Sequence, residues 1–202
     1  GVNFTSNKFD DVDAMIESAH NKNVKYIIGI SNSVLDIPKN LAICERTNNV
    51  YCTAGVHPHQ VKHLNDERFS NLECIIKNNN GKIVAVGECG LDYNRNFSKP
   101  HDQRYWFNKQ LDLAALYNLP IYLHERDAHE DFKSILKAHS NDFKNKAIVH
   151  CFTGGWKELK VYLEMGYFVG ITGWICDEIR AKDLIEGLTI AMKDDSLKDI
   201  LL

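Results

Sequence analysis

The stretch Ile83-Val84-Ala85-Val86-Gly87-Glu88-Cys89-Gly90-Leu91-Asp92 decides how the chain is read. Four apolar residues without polar alternation suit a parallel strand covered on both faces, and this one runs through Gly87 into the carboxylate of Glu88. A charge placed there is costly unless a partner meets it. Two later stretches repeat the plan: Ile121-Tyr122-Leu123 leads into His124, and Ala147-Ile148-Val149 leads into His150. The 36 residues from Glu88 to His124 and the 26 from His124 to His150 each leave room for one covering helix. Three strands of a βα repeat should therefore open onto one face and present three metal-ligand residue types there.

Outward from this centre the pattern continues. Val2 to Thr5 reads as a first strand, and Phe9, Val12, Met15, Ile16 and Ala19 fall at helical spacing. A strand at Tyr26 to Ile30, a helix from a Ser33 cap towards Thr47, and a strand at Val50 to Val56 follow, the last opening into His57-Pro58-His59. A helix around Phe69 to Asn78 precedes the central strand. The helix after it should have Ser98 as cap, Pro100 in its first turn, and Phe107, Leu111, Ala114 and Ala115 facing inward. Past His124 come a helix with Phe132, Ile135 and Leu136, a helix from Trp156 to Met165 closed by Gly166, a strand at Phe168 to Ile171, and a helix over Ile179 to Met192. Ile200-Leu201-Leu202 reads as the front of an eighth strand. Such alternation, with no glycine-rich phosphate loop after an early strand, predicts an α/β fold of the TIM (β/α)8 barrel type, its last strand and helix missing from this chain.

Composition sets the bounds. With 202 residues, 44% of them hydrophobic, and no linker-like segment, residues 1–202 are expected to form a single domain. No apolar run reaches the roughly 18 residues of a membrane span, and GVNFTSNKFDD has neither the basic region nor the apolar core of a signal peptide. A cytoplasmic protein without a membrane partner is expected. Six cysteines without a CxxC pair point to reduced, packed thiols. The net charge of −3 supplies no basic footprint, so any nucleic-acid contact must come from a local patch or through bound cations.

The segments GVNFTS, TAGVHPH, GECGLDYNRNFS, LHERDAH, HCFTG and GITGWICDE, in that order, resemble the TatD family of metal-dependent deoxyribonucleases. The resemblance implies a TIM barrel, a divalent metal and phosphodiester hydrolysis of DNA, with RNA as an alternative substrate and 3′-to-5′ exonuclease action. It matches Glu88 to the family's metal-bridging carboxylate, and His124 and His150 to its metal-binding histidines. The ion it implies is magnesium, with manganese or zinc as alternatives. Two departures stand out. Gly1 and Asn3 occupy the places of a histidine pair found in many relatives, and the family's aspartate just past strand eight lies beyond Leu202.

His57 and His59 are either substrate-side groups or parts of a turn shaped by Pro58. Arg95 and Arg126 are candidates for gripping phosphate, each set against an ordinary alternative: a solvated loop charge for Arg95 and an ion pair with Asp127 for Arg126. Trp174 either stacks on a base or packs under the rim. Cys89 and Cys151 are read as packing residues, and Lys193-Asp194-Asp195 as a solvated turn. Alternative functions are a small-molecule amidohydrolase on the same barrel and a truncated chain that binds metal or nucleic acid without turnover.

Overall fold

The computed structural model describes residues 1–6, 9–139, 141–144 and 146–193. Six strands, β1 (Ile27–Gly29), β2 (Val50–Ala54), β3 (Ile83–Asp92), β4 (Ile121–Arg126), β5 (Ala147–Val149) and β6 (Phe168–Val169), form one sheet in sequence order, and every neighbouring pair is parallel. Helix α1 (Val12–Asn21) precedes β1. Helices α2 (Ile37–Arg46), α3 (Asp66–Lys77), α4 (Pro100–Leu116), α5 (His129–Ala138) and α6 (Trp156–Glu164) each fill one crossover, and α7 (Lys182–Ala191) follows β6. Because each crossover steps one strand in the same direction, the sheet winds as a partial barrel and has no point at which strand order reverses. Among the described residues no helix is long and apolar enough to cross a membrane.

The expected first strand is reduced to a single rung. Val2 bridges Gly29, accepting from Ile30 N–H at 2.7 Å and donating to Ile28 O at 2.8 Å. Phe4 then turns its buried ring over Gly29, where an added Cβ would lie 2.6 Å from it. The proposed eighth strand at Ile200–Leu202 lies outside the described residues, as do Asp194 and Asp195.

Element ends moved where local hydrogen bonding outcompeted apolar pattern. Ser33 does not cap α2; its hydroxyl donates to Asp36 Oδ2 at 2.9 Å, and the helix starts at Ile37 with Pro38 in its first turn. Nor does Ser98 cap α4. Lys99 holds that place, while the Ser98 hydroxyl is buried and accepts from Lys62 N–H at 3.2 Å. The cysteines are all free, but Cys74 and Cys176 are exposed, against the expectation of packed thiols.

Helix α4 packs Phe107, Leu111 and Ala114 inward as their spacing predicts. It also buries two polar side chains that an apolar pattern passes over. Gln103 accepts from Asp92 N–H at 2.8 Å and donates to Asp92 O at 3.0 Å and Ser98 O at 2.8 Å, while Gln110 accepts from Val56 N–H at 2.7 Å and donates to Val56 O at 3.1 Å. Each glutamine thus satisfies the backbone where a strand end leaves the sheet ladder, one beyond β2 and one at the end of β3.

Gly90 is required for β3 and β4 to meet. Its φ is +148°, and a Cβ there would sit 1.9 Å from the carbonyl oxygen of His124. Gly90→Ala is expected to cost about 3 kcal/mol by strain and forced strand separation. Urea denaturation of the two proteins checks this, and equal midpoints would show that the backbone yields without penalty.

Candidate metal centre

Glu88 faces the site because β3 carries an extra residue. Gly87 pairs with Tyr122 and Cys89 with Leu123, so Glu88 is skipped in the ladder. Its amide N–H donates instead to Ser31 O at 3.2 Å, past the end of β1. A bulge of this kind bends the strand and re-aims the side chain. Beyond it the ladder resumes, pairing Gly90 with His124 and Asp92 with Arg126.

Three residues then converge. His57, Glu88 and His124 each place one potential ligand atom within 4.8 Å of the others. His124 donates from Nδ1 to Glu88 Oε1 at 2.9 Å, and His57 Nε2 lies 3.8 Å from the same oxygen. The rings of His57 and His124 are 4.4 Å apart, centre to centre. On the other side of His124, Nε2 reaches Asp92 Oδ2 at 3.4 Å, and His59 Nε2 donates to that oxygen at 2.6 Å. Asp92 Oδ1 accepts from Arg95 N–H at 2.8 Å, so all of this buried carboxylate is engaged.

The electrostatics follow from this crowding. Burial acts against a charged His124, but hydrogen bonds to Asp92 and Glu88 outweigh it and push the ring up to about 9. Burial would raise both carboxyls; the His124 hydrogen bond reverses that, and Glu88 and Asp92 end below their ordinary values. His57 goes the other way: burial, then the nearby His124 charge, lowers it to about 3. One imidazolium therefore balances two carboxylates, with a neutral imidazole beside them.

The structure brings together Glu88, His124, His57 and His59 of the residues singled out from sequence, and adds Asp92, to which the sequence pattern assigns no role. His150 stands beside this set and outside the three-residue cluster. Its Nδ1 pairs with the Tyr122 hydroxyl at 2.7 Å, and burial leaves it below the ordinary imidazole value. Arg95 is exposed on the loop after β3. Arg126 makes no ion pair with Asp127, whose carboxylate accepts from Asn94 Nδ2 at 2.6 Å; its guanidinium lies 5.9 Å from the centre of the Trp174 ring. Cys89 is buried as expected, and Cys151 is half-buried with Sγ 3.3 Å from the Thr172 hydroxyl. The signal for Asp92 in the sequence was its period-2 relation to Glu88 along one strand, at i and i+4 on the same side.

The residues present fit a divalent cation. Two imidazoles and a carboxylate are a common donor set, all three are at least largely buried, and the charge balancing Glu88 is a proton that a cation can replace.

The chain is similar to known proteins over most of its length. A sequence profile described as TatD related DNase matches residues 1–197. A protein of Erwinia tasmaniensis named 3′-5′ ssDNA/RNA exonuclease TatD is 44% identical over 197 residues, which cover 96% of this chain and 74% of the relative. Among solved structures, the TatD homolog YJJV from Escherichia coli K12 matches with a TM-score of 0.80 at 29% identity, over 86% of this chain and 66% of that one. A TatD family hydrolase from Entamoeba histolytica matches with a TM-score of 0.78 at 28% identity, over 89% of this chain and 61% of that one. With a profile match spanning nearly its whole length and close kinship to curated members, the chain belongs to the TatD-related DNase family.

Proposed function

We propose that this protein is a divalent-metal-dependent nuclease that hydrolyses phosphodiester bonds of single-stranded DNA from the 3′ end, with RNA as a second substrate. The observation that carries the reading is the His57–Glu88–His124 cluster at the strand ends of a chain in this family. The closed (β/α)8 barrel is the architecture that goes with it, supported by six parallel strands in unbroken order. Six free cysteines fit a reducing compartment, the cytoplasm.

In this reading Glu88, His57 and His124 hold the cation. His150, beside the cluster, would be a further donor, its ring oriented by the Tyr122 hydroxyl at Nδ1 in the way a second partner usually orients a ligating imidazole. When bound, the ion supplies Lewis acidity at the phosphate and an acidified water. Asp92 holds His59 and His124 in place from behind. His59, on the rim with Arg95 and Arg126, faces the substrate. Magnesium is the ion the family implies; three imidazoles beside one carboxylate suit manganese or zinc at least as well, so reconstitution should compare all three.

Glu88→Gln, which keeps shape and removes the charge, and His124→Ala should each lower cation-dependent cleavage of a 5′-labelled single-stranded oligonucleotide by about a hundredfold or more, with circular dichroism unchanged. A chelator should abolish cleavage by the wild type, and lactone or phosphotriester substrates should not be turned over. Wild-type cleavage by a folded Glu88→Gln variant would remove Glu88 from the site.

A pH series tests the same assignment. With His124 raised from 6.5 to about 9, the metal-free protein holds a proton that the cation must displace. Cation affinity should therefore climb about tenfold per pH unit from neutrality and level off above about 9. Stability of the metal-free protein has the opposite sign: the contribution of His124 is complete below 6.5 and is lost as pH rises through about 9. Titration calorimetry in buffers of different ionisation enthalpy reads the released proton directly, and no release at neutral pH would contradict a charged His124.

A further inference from the structure

Arg126, Trp174 and Arg180 come together at the mouth beside the metal centre from β4, the 3₁₀ turn Gly173–Cys176 and the turn that follows it. Arg126 ends β4 and is two residues beyond His124, so both side chains leave the same side of that strand. By strand rise it sits about 7 Å further out. It lines a cavity of about 490 Å³ whose other walls include Tyr93, Glu125 and Thr153. The acidic side chains around that cavity are already engaged. Glu125 accepts from Ala128 N–H, Asp127 from Asn94, and Asp131 from Arg104 and Tyr93, while Glu130 pairs with Lys133 and Glu158 accepts from Gly155 N–H. Among the described residues Arg126 has no carboxylate within ion-pair distance.

Arg180 comes from the far side, between the 3₁₀ turn Gly173–Cys176 and α7. Its guanidinium carbon lies 4.3 Å from the centre of the Trp174 ring, against 5.9 Å for that of Arg126. Asp177 accepts from Arg180 Nε at 2.6 Å and draws Nη2 to the same oxygen, which leaves the rest of the fork free. Two like charges converging on one aromatic ring repel each other, and the ring's negative face offsets part of that cost. With a guanidinium already over it, Trp174 is poorly placed to stack on a base.

We infer that Arg126 and Arg180, held over Trp174, form a clamp for a backbone phosphate of single-stranded nucleic acid, one linkage away from the phosphate at the metal centre. The inference rests on the nuclease reading and extends it: Arg126 and Arg180 contact the substrate, and Trp174 is a positioning residue against which both guanidinium groups are held. Phosphate recognition by paired guanidinium forks is charge-assisted and insensitive to base identity, which suits an enzyme that must move along any sequence.

The test uses the metal-loaded enzyme and a single-stranded oligothymidylate, with kcat and KM measured across a salt series. Arg126→Gln and Arg180→Gln should each raise KM about tenfold with kcat little changed. Each should also flatten the slope of log(kcat/KM) against log salt, by about 0.7 for each lost phosphate contact. Trp174→Leu should show both effects and Trp174→Phe neither, a rescue that general loss of packing would not give. Replacing the linkage next to the cleaved one with an uncharged methylphosphonate should make the wild type behave like Arg180→Gln and leave that variant unaffected. If wild type cleaves but Arg180→Gln keeps its KM and its salt slope, the clamp is refuted and the nuclease reading stands. If wild type does not cleave the oligonucleotide with any of the three metals, both are refuted.

Discussion

Everything around the centre depends on one buried ring between two carboxylates. His124 reaches Glu88 with one nitrogen and Asp92 with the other, and neither carboxylate is exposed. Buried carboxylates demand a compensating positive charge. A single proton on His124 meets that demand while His57, close by, is kept neutral by burial and by the charge next to it. The site is thus built for positive charge, and a cation held by His57, Glu88 and His124 offers more of it than the proton does.

Holding that ring in place accounts for features that otherwise look unrelated. The extra residue in β3 turns Glu88 inward, and Gly90 lets the next part of the strand lie against the His124 carbonyl. Gln103 secures the backbone of Asp92 from behind, as Gln110 secures Val56 just ahead of His57. Asp92 in turn fixes His59. Helix α4 therefore supports two loops of the site through side chains that bury polar atoms only because each finds its full set of partners.

On the outer side the arrangement changes from balanced to open charge. The acidic groups near the cavity are paired locally, whereas Arg126 leans on Trp174 beside Arg180. A chain with a net charge of −3 can still offer a substrate backbone a local positive place, because attraction at contact range is set by neighbours and the total is screened beyond about 10 Å.

The winding of the sheet was legible in the chain before any coordinate. Unalternating runs such as Ile83–Val86 and Ile121–Leu123, spaced by helix-length segments, allow little besides parallel strands with covering helices, and their polar ends had to share one face. Glu88 and His124 were legible for that reason. The rest depends on contacts between residues far apart in the chain. The place of His57 as a cluster member instead of a rim group depends on how the loop after β2 folds back, with Gly55 closing against Gly87 so tightly that a Cβ would lie 2.5 Å from its Cα. The partners of Asp92, the buried glutamines, the shortening of the first strand to Val2, and the choice of Trp174 over Asp127 for Arg126 are equally unreadable from spacing. Periodicity reports which side of an element a residue faces; which charge or hydrogen bond meets it there is set by residues tens of positions away, brought close only when the sheet winds.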